Sequence, residues 1–183
     1  LDFSSQLVFT NIGHQHPKVV KAIQEQAAVL TTIAPQHASE VRNQAARSIV
    51  ELAGDNFSKV FFTAAGADAV ENAIRMARLH TRKHKIFSTY RSYHGNTTSA
   101  ISATGDPRRF PNEFAFGHVH FWGPYLYRTA FWAEDEAQEC ARALEHLEQM
   151  IIFEGPNTIA AILIESIPGT AGVLVPPKGY LEG

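Results

Sequence analysis

The chain has 183 residues, of which 45% are hydrophobic and 19% charged, and a formal net charge of −2 at pH 7. That suffices for a packed core and excludes a disordered chain. The near-neutral charge gives nucleic acid or an anionic membrane surface no footing, and the longest clean apolar run, Ile159 to Ile164, is too short to span a bilayer.

The first residues carry a strand-like run, Leu7-Val8-Phe9-Thr10, closed by the turn signal Asn11-Ile12-Gly13. Pro17 suits the first position of a helix, and Val20, Ile23, Ala27 and Leu30 follow at helical spacing until Pro35 intervenes. A second helix is expected from about Ser39 to Leu52, with Val41, Ala45, Ile49 and Leu52 on one face. From there strands and helices alternate. Residues 59–63 read as a strand, 67–80 as a helix, Lys85 to Thr89 as a strand and roughly 95–103 as a helix. Residues 104–117 read as a long loop, Val119 to Trp122 as a strand and 134–152 as a helix striped by Ala137, Ala141, Leu144, Leu147 and Ile151. Thr158 to Ile164 reads as a strand buried on both faces. The expected fold is α/β, a mostly parallel sheet with flanking helices. The single cysteine, Cys140, excludes an internal disulfide and fits a reducing compartment.

Ligands of such sheets sit at the carboxyl ends of the strands. That rule selects three places. The first is Ala65-Gly66-Ala67, where small side chains open a helix whose first amides point out unpaired toward an anion. It is neither a Walker loop nor a dinucleotide fingerprint, so a single phosphate fits it; the same residues also suit an ordinary strand-to-helix turn. Asp68 and Glu71 would repel a phosphate, so they are expected to point aside. The second place is Tyr93-His94-Gly95, where a flat ring can stack on a ligand or simply pack on the rim of the sheet. The third is Glu165, a strand-end carboxylate able to tune a site or merely meet solvent. Of the nine histidines, His14 and His16 stand two apart, as do His118 and His120, but no cysteine joins them and there is no His-Glu-x-x-His pattern, so no metal is expected. Arg82, Lys83, Lys85, Arg108 and Arg109 read as scattered, solvated charges.

Taken in order, these segments resemble the class III (omega-type) aminotransferases, fold-type-I pyridoxal-phosphate-dependent enzymes. The likeness runs from Asn11-Ile12-Gly13-His14 and His16-Pro17 through Phe62-Thr63, Gly66-Ala67-Asp68-Ala69, Glu71 and Tyr93-His94-Gly95 to Glu165. It continues through Gly169, Gly172, Pro176-Pro177 and Gly179-Tyr180-Leu181. Asp68 stands where the family often has Glu, and Ser166 where it has Pro. The resemblance implies pyridoxal 5′-phosphate as cofactor. The Gly66 and Ala67 amides would hold its phosphate, Tyr93 would stack on its ring with His94 and Gly95 beside it, and Glu165 would lie near the ring. It implies amino transfer from an amine or omega-amino acid to a keto acid such as pyruvate or 2-oxoglutarate, in a cytoplasmic homodimer. Residues 1–36 would belong to the small domain and 37–183 to the first half of the large domain.

Leu1 in place of Met, and a lead-in to a further element at Gly179-Tyr180-Leu181-Glu182, read as a fragment cut at both ends. The family's catalytic lysine is expected beyond Gly183, because none of Lys18, Lys21, Lys59, Lys83, Lys85 and Lys178 has its context. The chain alone is therefore expected to be inactive. A decarboxylase or aminomutase on the same fold, and a non-catalytic interaction module, stay open as alternatives.

Overall fold

The structure is a computed structural model and describes residues 1–112 and 115–183. Contacts divide it into two compact units, Leu1–Phe61 and Phe62–Gly183.

In the first unit, Ser5–Val8 form a left-handed turn with φ between 48° and 64°, rather than the strand expected over Leu7 to Thr10. No partner strand pairs with this run among the described residues, and an extended segment without a ladder leaves its backbone groups unsatisfied. Helix α1 (Pro17–Val29) begins at Pro17, whose missing N–H costs nothing at a helix start. Helix α2 (Glu40–Ala53) is capped by the Ser39 hydroxyl, which accepts from the Arg42 amide at 3.5 Å. Gly54, at φ +86°, ends it.

The second unit holds helix α3 (Gly66–Thr81), strand β1 (Lys85–Thr89), helix α4 (Thr98–Ala103), strand β2 (His118–Phe121), helix α5 (Glu136–Glu154) and strand β3 (Ile159–Leu163). Strand β1 is central. It pairs in parallel with β2 and β3, Phe87 lying opposite both Val119 and Ile162. Parallel neighbours need crossovers, and helices α4 and α5 fill them. Ile74 of α3, Ile86 of β1 and Ala103 of α4 form the buried centre, with Val70, Ala160, Ala161 and Leu163 packed against it. Residues 59–63, expected as a strand, are irregular, and Phe61 and Phe62 stand 64% and 44% exposed. Among the described residues β3 pairs with β1 alone, and its residues are half-buried, with Ile162 42% exposed, where burial on both faces was expected. At the amino end of the sheet, the Lys85 ammonium donates to the Glu154 carboxylate at 2.7 Å. The carboxyl ends of all three strands therefore face the other way, where Tyr90, Trp122 and Glu165 follow them.

Candidate functional site

Helix α3 opens at Gly66 behind an extended Ala65, and no side chain caps it. Its first amides thus keep their hydrogen-bonding capacity, and the dipole adds partial positive charge. Gly66 is exposed and a Cβ there would meet nothing within 4 Å. Asn72 donates to the Asp68 carbonyl at 2.8 Å, one turn inside the helix. The Glu71 carboxylate points away from the helix start, as its charge requires, and accepts from the Ser99 and Ala100 amides at 2.5 and 3.1 Å. Burial works to raise the Glu71 carboxyl, but the donors around it outweigh burial and hold it below the ordinary glutamate value.

The Tyr93-His94-Gly95 segment lies directly against this helix start. A Cβ on Gly95 would stand 2.7 Å from the Ala67 Cβ and 3.1 Å from the Ala100 Cβ, and its φ of +131° is open only to glycine. Hydrogen bonds lace residues 91–94 to Thr104 and Gly105. His94 N donates to the Thr104 hydroxyl at 3.0 Å, Gly105 N donates to Ser92 O at 3.0 Å, and Arg91 N donates to Gly105 O at 3.1 Å. Gly105 is needed there, because a Cβ would fall 2.0 Å from Thr89 O.

His94 is buried, and its Nε2 finds no hydrogen-bond partner among the described residues. Burial pushes the imidazole below its ordinary value, the Glu165 charge pulls it back, and His120 adds to the lowering. Glu165 follows β3. Its Oε2 accepts from Gly169 N at 3.1 Å, while its Oε1 is buried without a partner among the described residues. Two buried polar atoms are thus unsatisfied in one electrostatic neighbourhood, which calls for a polar group to meet them.

The Tyr93 ring is half-buried, with the Arg108 guanidinium 3.8 Å from its centroid. Arg108 Nε donates to both Asp106 carboxylate oxygens, at 3.0 and 2.9 Å, and its Nη2 donates to Oδ2 as well. That hydrogen-bonded pair holds the Asp106 carboxyl below the usual range. Arg108 is exposed, as expected, and also covers one face of Tyr93. Beyond it, Arg91 lies over the rings of Trp122 and Tyr125, at 5.0 and 4.9 Å. A pocket at the strand ends is lined by Thr89, Tyr90, Arg91, Trp122, Glu165 and Tyr180 among others.

Glu139 of α5, wholly buried, accepts from the Tyr125 amide at 2.7 Å and from the Thr129 hydroxyl, and so anchors the aromatic loop after β2. The sequence marks Glu71 only as a carboxylate that points aside, without its partners, and gives no sign of the roles of Thr104, Gly105 and Glu139. Their partners lie 10 to 29 residues away, so no local pattern marks them. No group of three or more histidine, cysteine, aspartate or glutamate side chains is placed to hold a metal among the described residues. No described helix is long and apolar enough to cross a membrane.

The family model for class-III aminotransferases covers residues 1–183. The taurine:2-oxoglutarate aminotransferase of Bifidobacterium kashiwanohense, solved with PLP and glutamate, superposes with a TM-score of 0.94 at 47% identity, over 99% of this chain and 42% of that one. Diaminobutyrate–2-oxoglutarate transaminase of Halomonas elongata is 33% identical over 100% of this chain and 41% of its own length. An omega-aminotransferase of Caulobacter vibrioides is 31% identical over 100% of this chain and 44% of its own. The chain thus spans about two-fifths of the length of these relatives. With a matching family model along its whole length, a parallel sheet of the same fold and the helix start, Tyr-His-Gly segment and glutamate all at one end of that sheet, the chain belongs to the class-III aminotransferases.

Proposed function

We propose that this chain forms the phosphate-anchoring and ring-stacking side of a pyridoxal 5′-phosphate site in an aminotransferase. The observation that carries the reading is the contact of Gly95 on Ala67, which joins a helix start free for an anion to a half-buried tyrosine ring. The residues fit the cofactor. The Gly66 and Ala67 amides would take the phosphate dianion. Tyr93, backed on one face by Arg108, would present its other face to the pyridine ring. His94 Nε2 and Glu165 Oε1, both unsatisfied, would meet the polar edge of the site.

When bound, the cofactor supplies the electron sink that stabilises negative charge developing at the substrate Cα. This chain's share of the work is orientation and electrostatics. The helix α3 dipole and amides favour the dianion. Gly95 keeps the Tyr93 platform at a fixed depth from the helix start. Burial disfavours the charged form of His94, and the Glu165 carboxylate brings negative charge to the polar edge. Of the lysines between Phe62 and Gly183, Lys83 and Lys85 donate to Pro156 O and to Glu154, at the opposite end of the sheet, and Lys178 is exposed. The reactive amine is proposed to come from a part of the enzyme outside these residues.

The amino donor is proposed to be an amine or omega-amino acid and the acceptor a keto acid, 2-oxoglutarate before pyruvate, since two of the relatives are named for it. Gly66, Ala67, Tyr93, His94, Gly95 and Glu165 are the proposed cofactor contacts, within a large domain that begins near residue 37. A cytoplasmic homodimer completes the proposal, the lone Cys140 fitting a reducing compartment. The test is amino-group exchange between candidate donors and 2-oxoglutarate by the full-length protein. Glutamate formation that depends on added pyridoxal 5′-phosphate is expected. Decarboxylation or intramolecular amino migration without glutamate would favour the other reactions of this fold.

A further inference from the structure

Helix α4 has an unusual cap. Its N-cap residue, Thr97, makes no side-chain cap of its own. The capping acceptor is instead Glu71, 28 and 29 residues earlier in the chain, taking the Ser99 and Ala100 amides. A carboxylate on backbone amides makes a charge-assisted hydrogen bond, roughly twice as strong as a neutral one. Glu71 sits on the same helix as Gly66 and Ala67, little more than one turn further on. Ala100, which it caps, is also the residue whose Cβ would stand 3.1 Å from a Cβ on Gly95. The Ala100 carbonyl in turn accepts from the Thr104 hydroxyl at 3.0 Å, and that hydroxyl accepts from His94 N. One continuous chain of contacts therefore runs from α3 through Glu71 and α4 back to His94 and Gly95.

We propose that Glu71 is a positioning residue for the cofactor, a tether that sets the Tyr93 platform at the right distance from the Gly66-Ala67 phosphate cup. The inference rests on the cofactor reading above. Glu71 touches neither half of the ligand; it fixes the spacing between the groups that do. Its loss therefore leaves each half-site able to bind its own fragment and weakens the ligand that must span both. A cap that merely stabilised α4 would act differently, because any local cap would replace it.

Two variants of the full-length protein separate these cases: Glu71→Ala, and Glu71→Ala combined with Thr97→Asp. The second supplies α4 with a local cap of the preferred type and keeps the helix formed without the tether. Each apoprotein is titrated with pyridoxal 5′-phosphate and, separately, with inorganic phosphate, each followed by competition against a fluorescent pyridoxal phosphate analogue. In both variants the dissociation constant for pyridoxal 5′-phosphate is expected to rise about tenfold or more, while that for inorganic phosphate stays within about twofold of wild type. Recovery of wild-type cofactor affinity in the double variant, or an equal loss for inorganic phosphate, would overturn the tether. A wild-type protein that binds no pyridoxal 5′-phosphate would instead overturn the cofactor reading beneath it.

Discussion

Gly95 rests on Ala67, so closely that a Cβ at residue 95 would lie 2.7 Å from the Ala67 Cβ and 2.9 Å from its Cα. Two segments 28 residues apart in sequence thereby share one surface. The helix start that opens toward an anion and the loop that carries a flat ring are held as one body.

Replacing Gly95 with alanine violates both the space and the φ of +131°. The expected cost is about 2–4 kcal/mol, the sum of overpacking and a strained backbone. Urea denaturation of this chain measures it. The contrasting variant is Gly66→Ala, where a Cβ meets nothing within 4 Å. Its stability should change by less than about 1 kcal/mol, because alanine is the better helix former.

The Arg108 guanidinium covers one face of Tyr93 at 3.8 Å while paired with Asp106. Arg108 is about half exposed, so Arg108→Ala should cost less than about 1 kcal/mol in stability. Its effect belongs in ligand binding, where an uncovered ring is less well held. A several-fold rise in the dissociation constant for pyridoxal 5′-phosphate is expected, with an unchanged urea midpoint as the control.

Glu139 is the buried acceptor for the Tyr125 amide and the Thr129 hydroxyl. Glu139→Ala leaves both donors without a partner inside the fold and is expected to destabilise by about 2–4 kcal/mol. Glu139→Gln retains one carbonyl acceptor and should lose less. If both variants unfold at the wild-type denaturant concentration, the carboxylate is not what holds the loop.

Acid sensitivity follows from the histidines. Burial lowers His94, His118 and His146 below the ordinary value near 6.5. A group whose folded value is depressed in this way binds its proton more readily in the unfolded chain. Stability is therefore full above pH 6.5 and falls as pH drops through and below that value, ahead of the carboxylates. Comparing urea midpoints at pH 7.5 and pH 5.5 should show a lower midpoint in acid, and His94→Gln should narrow the gap. Glu71 has the same sign at lower pH, because its depressed carboxyl must be protonated before its hydrogen bonds are lost.

Most of the second unit was legible in the sequence. The β-branched run of Lys85 to Thr89, the stripe from Ala137 to Ile151 and the apolar run around Ile159 each carry a periodicity set by their own residues. The misses share a cause. Leu7 to Thr10 and residues 59–63 have strand composition but no partner strand among the described residues, and a strand exists only through its ladder. The places of Gly66, Tyr93 and Glu165 at a helix start and after strand ends were legible one by one, because strand ends and helix starts are local. Their mutual arrangement was not: Glu71 on α4, Arg108 on Tyr93 and Gly105 against Thr89 all join residues that only the folded chain brings together.

The central claim is that Gly66, Ala67 and Tyr93 hold pyridoxal 5′-phosphate between them. Equilibrium titration of the full-length apoprotein with the cofactor, in wild type and in Tyr93→Ala, tests it most directly. Wild type should saturate with a visible absorbance band, and Tyr93→Ala should bind about tenfold more weakly, the loss of one stacked ring. A wild-type protein without that band, or a Tyr93→Ala variant that binds as tightly as wild type, would contradict the account.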